Sequence, residues 1–153
     1  MKTIRYILLM LTLFIGTASA TAQSEIIDEI ADMKGVTSVY ISKAMLSSIS
    51  PSMLGDKRIA SIAHQLTSIY IINIEGKEAR ANATQKIKQF RQYPGLEILT
   101  KIKEDNENVT IYGKQEGEKI TYVLMVVEER NEISIIAMTG NISLDNIRAL
   151  TAE

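Results

Sequence analysis

The chain has 153 residues, a formal net charge of -1 and no cysteine. The lack of cysteine excludes disulfides, thiolate nucleophiles, cysteine-ligated metal sites and a lipid-modified cysteine. The nearly balanced charge gives the chain no electrostatic basis for binding nucleic acid or an anionic membrane.

The N-terminus has the three parts of a secretory signal peptide. Lys2 and Arg5 form a short basic region, residues 7–15 are an almost wholly apolar run, and small residues follow. The apolar run is shorter than the roughly 20 residues that a membrane-spanning helix needs. We therefore expect cleavage, with a retained membrane anchor as the alternative.

Two cleavage sites fit the pattern of small residues, one after Ala20 and one after Ala22, and we favour Ala22. The prediction is a signal peptide over residues 1–22 and a single domain over residues 23–153. After cleavage no integral membrane segment is expected. The mature protein is predicted to be periplasmic or secreted.

The first half of the mature chain alternates helices and strands. Ser24 is placed to cap a first helix. A β-branched run predicts a strand over residues 36–42, and residues 43–65 indicate a helix broken near its middle by proline and glycine. The second strand, residues 66–75, is apolar on both of its faces, which indicates a central position in a sheet.

The second half predicts one long helix and a meander. Residues 76–93 have helical periodicity, with a narrow apolar stripe formed by Ala79, Ala83, Ile87 and Phe90. Short polar turns separate four strand-like runs, at residues 96–104, 107–115, 118–128 and 132–140. Ser143 is placed to cap a last helix.

These elements predict an α+β fold. We expect a two-layer arrangement in which a mixed, mainly antiparallel sheet of about six strands has helices on one face. The first two strands are joined through helices, so we expect them to be parallel neighbours or near neighbours that are connected by a right-handed crossover.

Three tyrosines are the first candidate site. Because side chains alternate along a strand, Tyr40, Tyr70 and Tyr112 point away from the β-branched residues beside them. If the β-branched residues face the helices, the tyrosines lie on the uncovered face and form a platform for a partner or ligand. The alternative is that tyrosine simply suits these strands.

A second candidate is the apolar segment around the predicted helix break. Methionine-rich, interrupted helices repack around varied partners, so the segment would serve as a mobile binding flap. Core filling at a bent helix is the alternative. The residues concerned are Met45, Leu46, Ile49, Met53 and Leu54.

Signals of catalysis are weak. His64 is the single histidine, and no nucleophile elbow, zinc-protease motif or glycine-rich phosphate loop accompanies it. The acidic run at residues 104–108 lacks the glycine and the distal glutamate of a calcium-binding loop. We therefore assign no catalytic residue, metal or cofactor.

Three ordered segments resemble one family. They are GVTSVYISKAML (residues 35–46), KEDNENVTIYGK (residues 103–114) and TGNISLDNI (residues 139–147). In this order behind a signal peptide, they are similar to the exported Bacteroidota family catalogued as domain of unknown function 4252. The resemblance implies a small exported α+β protein of unassigned activity. It also implies an association with genes for extracytoplasmic-function sigma factors and their membrane-bound regulators.

The leading hypothesis is an exported, non-catalytic binding or interaction module of the cell envelope. Its partner would be an envelope protein, with a link to sigma and anti-sigma signalling. The first alternative is a small periplasmic hydrolase that uses His64. The second is a structural subunit that polymerises by strand addition, which predicts an open sheet edge.

Overall fold

A computed structural model describes residues 18–50 and 57–151 of the chain, with side-chain surroundings for residues 25–50 and 60–148. Of the predicted signal peptide, residues 1–22, the part up to residue 17 lies outside the described residues, as do Met53 and Leu54. The helices are α1 (Ala18–Ala31), α2 (Lys43–Ser48), α3 (Lys57–Ile62), α4 (Lys77–Phe90) and α5 (Leu144–Thr151). The strands are β1 (Val36–Ser42), β2 (Leu66–Glu75), β3 (Leu96–Lys103), β4 (Glu107–Glu116), β5 (Lys119–Glu129) and β6 (Glu132–Ser143).

The described strands form one six-stranded sheet in the order β1-β2-β6-β5-β4-β3. Every neighbouring pair is antiparallel. The predicted meander of the last four strands is confirmed. Helix α1 extends further towards the N-terminus than predicted, because Ser24 lies within the helix rather than at its start.

The predicted parallel pairing of the first two strands is wrong. Ser42, at the end of β1, lies opposite Ser68 near the start of β2. The connection between the two strands therefore returns at the same end of the sheet instead of crossing it. Leu46 and Ile62 from this connection pack into a core together with Leu66, which holds the returning chain beside β1.

Apolar residues on the two faces of the sheet form two separate cores. In β2, Ile72 and Ile74 belong to the first core and Ile69 belongs to the second. The helical residues of the first core come from α1 and α4: Ile26, Ile27, Ile30, Ala79, Ala83, Ile87 and Phe90. Those of the second core come from the three short helices: Leu46, Ile62 and Ile147.

Helices therefore pack on both faces, which differs from the predicted arrangement of helices on one face. The physical reason is the composition of the central strands, which are apolar on both sides and need cover on both sides. We call the face under α1 and α4 the first face, and the face under α2, α3 and α5 the second face. Lys86 of α4 forms an ion pair with Glu29 of α1, which joins the two helices on the first face.

Candidate functional site

The three predicted tyrosines lie in one row across the first face. Tyr40 is opposite Tyr70, and the row continues from Tyr70 through Ala137 and Leu124 to Tyr112. The alternation argument therefore places the three side chains on a common face, as predicted. That face is covered by α1 and α4 rather than left open.

The tyrosines differ in exposure because the helices cover only part of the row. Tyr40 is 60% exposed, whereas Tyr112 is 2% exposed. The hydroxyl of Tyr112 accepts a hydrogen bond from Arg91 Nε at 3.3 Å, just beyond the end of α4. The expectation that Tyr112 belongs to an uncovered platform is wrong, because the C-terminal end of α4 lies over it. Tyr70 is half-buried.

Tyr40 and Tyr70 form a ring contact at the open end of this row. Their ring centroids are 5.5 Å apart and the ring planes are tilted by 54°. The backbone N–H of Glu75 donates to the carbonyl of Gly35 at 3.3 Å. Hydrogen-bonded pairs alternate along an antiparallel ladder, so Tyr40 and Tyr70 are a non-hydrogen-bonded pair, in which opposite side chains approach most closely.

A cleft of about 520 Å³ lies beside these rings. It is bounded by α1 on one side and by strands β1, β2, β5 and β6 on the other. Its lining residues are Ile27, Asp28, Tyr40, Ser68, Tyr70, Tyr122, Ala137 and Thr139. Its volume is within the range of about 300–1,000 Å³ that is usual for small-molecule sites. We call it the tyrosine cleft.

One wall of the tyrosine cleft is a cluster of hydroxyl groups. Thr139 Oγ1 lies 2.7 Å from Thr67 Oγ1 and 2.6 Å from Ser68 Oγ. Consecutive strand residues normally point to opposite faces. Here the register shifts between Leu66 and Ser68, and this bulge lets both hydroxyls reach Thr139.

Gly140 is required for the close approach of the two strands at this bulge. A Cβ atom on Gly140 would lie 2.2 Å from the carbonyl oxygen of Gln65. A real Cβ atom does not come this close to a backbone oxygen, so any side chain at this position would push β6 away from the start of β2. Gly140 therefore helps to position Thr139 in the wall of the tyrosine cleft.

Tyr122 lines the same cleft and lies directly opposite Thr139. The residue is 9% exposed, and its hydroxyl is buried without a hydrogen-bond partner among the described residues. Burial raises the pKa of Tyr122 above its ordinary value, so the phenol stays neutral and keeps its proton to donate. A buried hydroxyl without a partner costs about 1–3 kcal/mol.

Asp28 is the single charged residue among those that line the described cleft. It lies on the exposed side of α1, one residue from the buried Ile27. The cleft therefore combines aromatic walls, the hydroxyl groups of Ser68 and Thr139 and one negative charge, while the Tyr122 hydroxyl is buried in its wall. This arrangement suits the binding of an amphipathic molecule. Among the described residues, no cluster of three or more histidine, aspartate or glutamate side chains is placed to hold a metal ion.

The sequence predicted Tyr40 and Tyr70 as binding residues and did not single out Tyr122 and Asp28, which line the same cleft. Tyr122 belongs to a strand that is apolar on both faces, so the sequence does not distinguish it from ordinary core residues. Its strand alternates Tyr122, Leu124 and Val126 on the first face, and the register with Thr139 places the tyrosine at the cleft.

The described residues of the predicted flap, Met45, Leu46 and Ile49, differ in their burial. Met45 is 52% exposed, whereas Leu46 is buried in the second core. Ile49 is half-buried. These residues belong to helix α2 and the turn that follows it, so they are not part of the tyrosine cleft. Binding by this segment stays a prediction.

His64 lies exposed in a short 3-10 turn, Ala63–Gln65, directly before β2. Its Nε2 atom lies 3.3 Å from Nε2 of Gln65. No serine or carboxylate of the described part of the chain is hydrogen-bonded to the ring. The geometry therefore gives no support to the hydrolase alternative. In the same part of the chain, no helix combines the length and the apolar character that crossing a bilayer requires.

A family model described as Domain of unknown function (DUF4252) matches residues 29–150, which is most of the chain. The chain belongs to this family. The matched part of the DUF4252 chain contains the six strands and most residues of the tyrosine cleft, although Ile27 and Asp28 precede it. A comparison with curated proteins finds no match.

One solved structure is similar to part of this DUF4252 chain. It is the crystal structure of PA94, a Pseudomonas aeruginosa protein of unknown function that is described as a candidate regulator. The two sequences are 13% identical, the match covers 54% of this chain, and the TM-score is 0.30. The chain spans 64% of that protein's length, which is less than two thirds.

Proposed function

We propose that this DUF4252 chain is an exported, non-catalytic binding module of the bacterial cell envelope, and that the tyrosine cleft is its ligand site. The observation that carries the proposal is the Tyr122 hydroxyl, which is buried without a described partner at a cleft that is open to solvent. A ligand that displaces the atoms covering this hydroxyl and brings an acceptor to it would remove the free-energy penalty of leaving the donor unpaired.

The proposed ligand is a small amphipathic cation. The single charge among the described lining residues is the carboxylate of Asp28, which favours a positive group at the rim. The rings of Tyr40 and Tyr70 offer apolar area and negatively polarised faces for the same group. An acceptor on the ligand would then receive the proton of Tyr122.

Butyrylcholine is a suitable probe because it joins a quaternary ammonium group to an ester carbonyl and a short acyl chain. Monobutyl succinate, an anionic ester of similar size, is the matched control ligand. We expect titration calorimetry to detect binding of butyrylcholine and no binding of monobutyl succinate. Equal binding of the two esters, or no binding of either, would contradict the proposal of a cationic ligand.

Variants of the cleft test the roles of its two polar anchors. Tyr122→Phe should weaken butyrylcholine binding about 2-fold to 13-fold, which corresponds to one hydrogen bond of about 0.5–1.5 kcal/mol. Asp28→Asn should reduce the preference for the cationic ester. Tyr112→Phe is the control, because Tyr112 lies on the same face outside the cleft lining. Unchanged binding in Tyr122→Phe would show that the hydroxyl of Tyr122 does not bond to the ligand.

We also propose that the protein is periplasmic or secreted, which the N-terminal pattern supports, and that its source is a member of the Bacteroidota, which the family resemblance supports. Cleavage after Ala22 would leave the core residues Ile26, Ile27 and Ile30 in the mature chain. N-terminal sequencing of the protein from the envelope fraction should begin at Gln23. An intact N-terminus in the cytoplasmic fraction would contradict this part of the proposal.

A partner in envelope signalling completes the proposal. Its support is the family resemblance, which associates such chains with sigma and anti-sigma genes. A photo-crosslinking residue placed at Asp28, on the exposed side of α1 at the cleft, should capture a membrane-bound sigma-factor regulator in intact cells. The same residue at Glu97, on edge strand β3, is the control. Equal capture from both positions would argue against a specific partner at the tyrosine cleft.

A further inference from the structure

The two edges of the sheet differ in their protection against further strand pairing. Edge strand β3 carries Glu97, Lys101 and Lys103, and its register shifts between Ile98 and Thr100. Charges and bulges are the usual means of preventing pairing at a sheet edge. Edge strand β1 has the sequence VTSVYIS, which contains no charge, and its pairing with β2 is continuous.

The outward backbone groups of β1 can be assigned from one hydrogen bond. Glu75 N–H donates to the carbonyl of Gly35, so Gly35 and every second residue after it bond towards β2. The intervening residues direct their N–H and C=O groups to the free edge, except that the carbonyl of Ser42 accepts the first hydrogen bond of helix α2. These residues are Val36, Ser38, Tyr40 and Ser42.

The middle of β1 is also open on both faces. Val39 on the second face is 49% exposed, and Tyr40 on the first face is 60% exposed. Thr37 and Ser38 are exposed as well. Neither face of the sheet therefore has a described helix that buries the centre of this strand.

We propose that β1 pairs with β1 of a second copy of this chain, antiparallel and about a twofold axis that passes between the two Val39 residues. Ser38 then pairs with Tyr40 of the second copy, and Val36 pairs with its Ser42. This register uses all four outward-directed residues and leaves no part of either strand unpaired.

Side-chain chemistry favours a second copy over another strand. The two Val39 side chains meet as a non-hydrogen-bonded pair, which buries apolar area that is exposed in one copy. The large Tyr40 lies beside the small Ser38 of the second copy, so the first face is also complementary in size. Because β1 contains no charge, pairing it with itself places no like charges opposite each other.

Disulfide formation between introduced cysteines tests the register without side reactions, because the chain contains no cysteine of its own. In the proposed register, the Cα atoms of the two Val39 residues are about 4.5 Å apart, within the range that a disulfide spans. The two Thr37 residues are about 14 Å apart, from four residue spacings along the strands. Mild oxidation should therefore convert most of Val39→Cys to a covalent dimer and leave Thr37→Cys mainly monomeric.

Thr37→Cys is the matched control because Thr37 is exposed, on the same strand and on the same face as Val39. Equal cross-linking of the two variants would indicate random collision and overturn the proposed register. Absence of cross-linking in Val39→Cys, with its melting temperature unchanged, would overturn the dimer itself.

The unmodified protein gives a second test that needs no cysteine. Light scattering of the protein purified from cells expressing the full chain should show a dimer, and Val39→Lys should abolish it by placing two ammonium groups together at the axis. A monomer at all concentrations would overturn the proposal. Slow amide exchange at Ser38 and Tyr40 in such a monomer would indicate that another segment of the same chain pairs with the edge of β1.

Discussion

The rings of Tyr40 and Tyr70 lie 5.5 Å apart across the β1–β2 ladder. The two residues come from similar stretches of sequence, SVYIS and SIYII, and the antiparallel register brings them directly opposite each other. A contact of this kind contributes about 0.5–1.5 kcal/mol beyond the area that it buries. The repeated tyrosine therefore forms one cross-strand pair, which borders the tyrosine cleft.

Tyr122 and Tyr112 should respond in opposite ways to loss of the hydroxyl. We expect Tyr122→Phe to leave the free energy of unfolding unchanged or to raise it by up to about 1 kcal/mol, because it removes a buried donor without a described partner. Tyr112→Phe should lower it by about 1–2 kcal/mol, because the bond from Arg91 is lost. Urea unfolding of both variants measures this. Equal destabilisation would show that Tyr122 is already hydrogen-bonded in the free protein.

Stability should fall at alkaline pH through Tyr122. Burial raises the pKa of this phenol above its ordinary value of 10.0. The unfolded chain releases the proton at the ordinary pKa, so above about pH 10 the unfolded state binds fewer protons than the folded state. The free energy of unfolding therefore falls as the pH rises from there, and this group has no effect at neutral pH.

Tyr122→Phe is the control for the alkaline effect, and its free energy of unfolding should depend less steeply on pH above about 10. Urea unfolding at a series of pH values gives both curves. At moderate alkalinity the folded protein and the folded variant should show the same tyrosinate absorption, because Tyr122 keeps its proton. Parallel curves for the two proteins would contradict the assignment to Tyr122.

Gly140→Ala should disrupt the wall of the tyrosine cleft. The new Cβ would lie 2.2 Å from the Gln65 carbonyl oxygen, and we expect a loss of about 3 kcal/mol from this overpacking. Gly117→Ala is the comparison, because its Cβ meets nothing within 4 Å and the strain comes only from a φ of +64°. That strain costs about 1–2 kcal/mol. Thermal unfolding measures the loss of stability in both variants. A smaller loss for Gly140→Ala than for Gly117→Ala would contradict the close approach of Gly140 to the Gln65 carbonyl.

Adjacent residues of α2 separate core packing from surface binding. Leu46→Ala should lower the free energy of unfolding by about 2–5 kcal/mol, because Leu46 is buried in the second core. Met45→Ala should change it by less than about 0.5 kcal/mol, since its side chain is half exposed. Chemical denaturation measures both. Similar losses at the two positions would mean that Met45 is also covered in solution.

Local patterns in the sequence predicted the elements well. The β-branched runs gave β1 and β2 their observed bounds, and the spacing of Ala79, Ala83 and Phe90 gave the buried side of α4. Alternation also placed Tyr40 and Tyr70 on one face. Each of these inferences depends on neighbours within one strand or helix, where the periodicity is fixed by backbone geometry.

Relationships between elements were harder to predict. The connection between β1 and β2 is long enough either to cross the sheet or to return, and the packing of Leu46 and Ile62 decides between the two. Alternation shows that residues share a face but does not identify the helix that covers them. For the same reason, alternation predicts an exposed Tyr112. In the structure the C-terminal end of α4 covers this residue, and Arg91 donates a hydrogen bond to its hydroxyl.

Helix α1 contributes Ile27 and Asp28 to the lining of the tyrosine cleft, and it contributes Ile26, Ile27 and Ile30 to the first core. A molecule bound beneath this helix would hold it against the sheet, and any ligand that prefers the folded chain raises the unfolding temperature. Melting curves recorded across a metabolite collection would therefore reveal natural ligands of the cleft without knowledge of their identity.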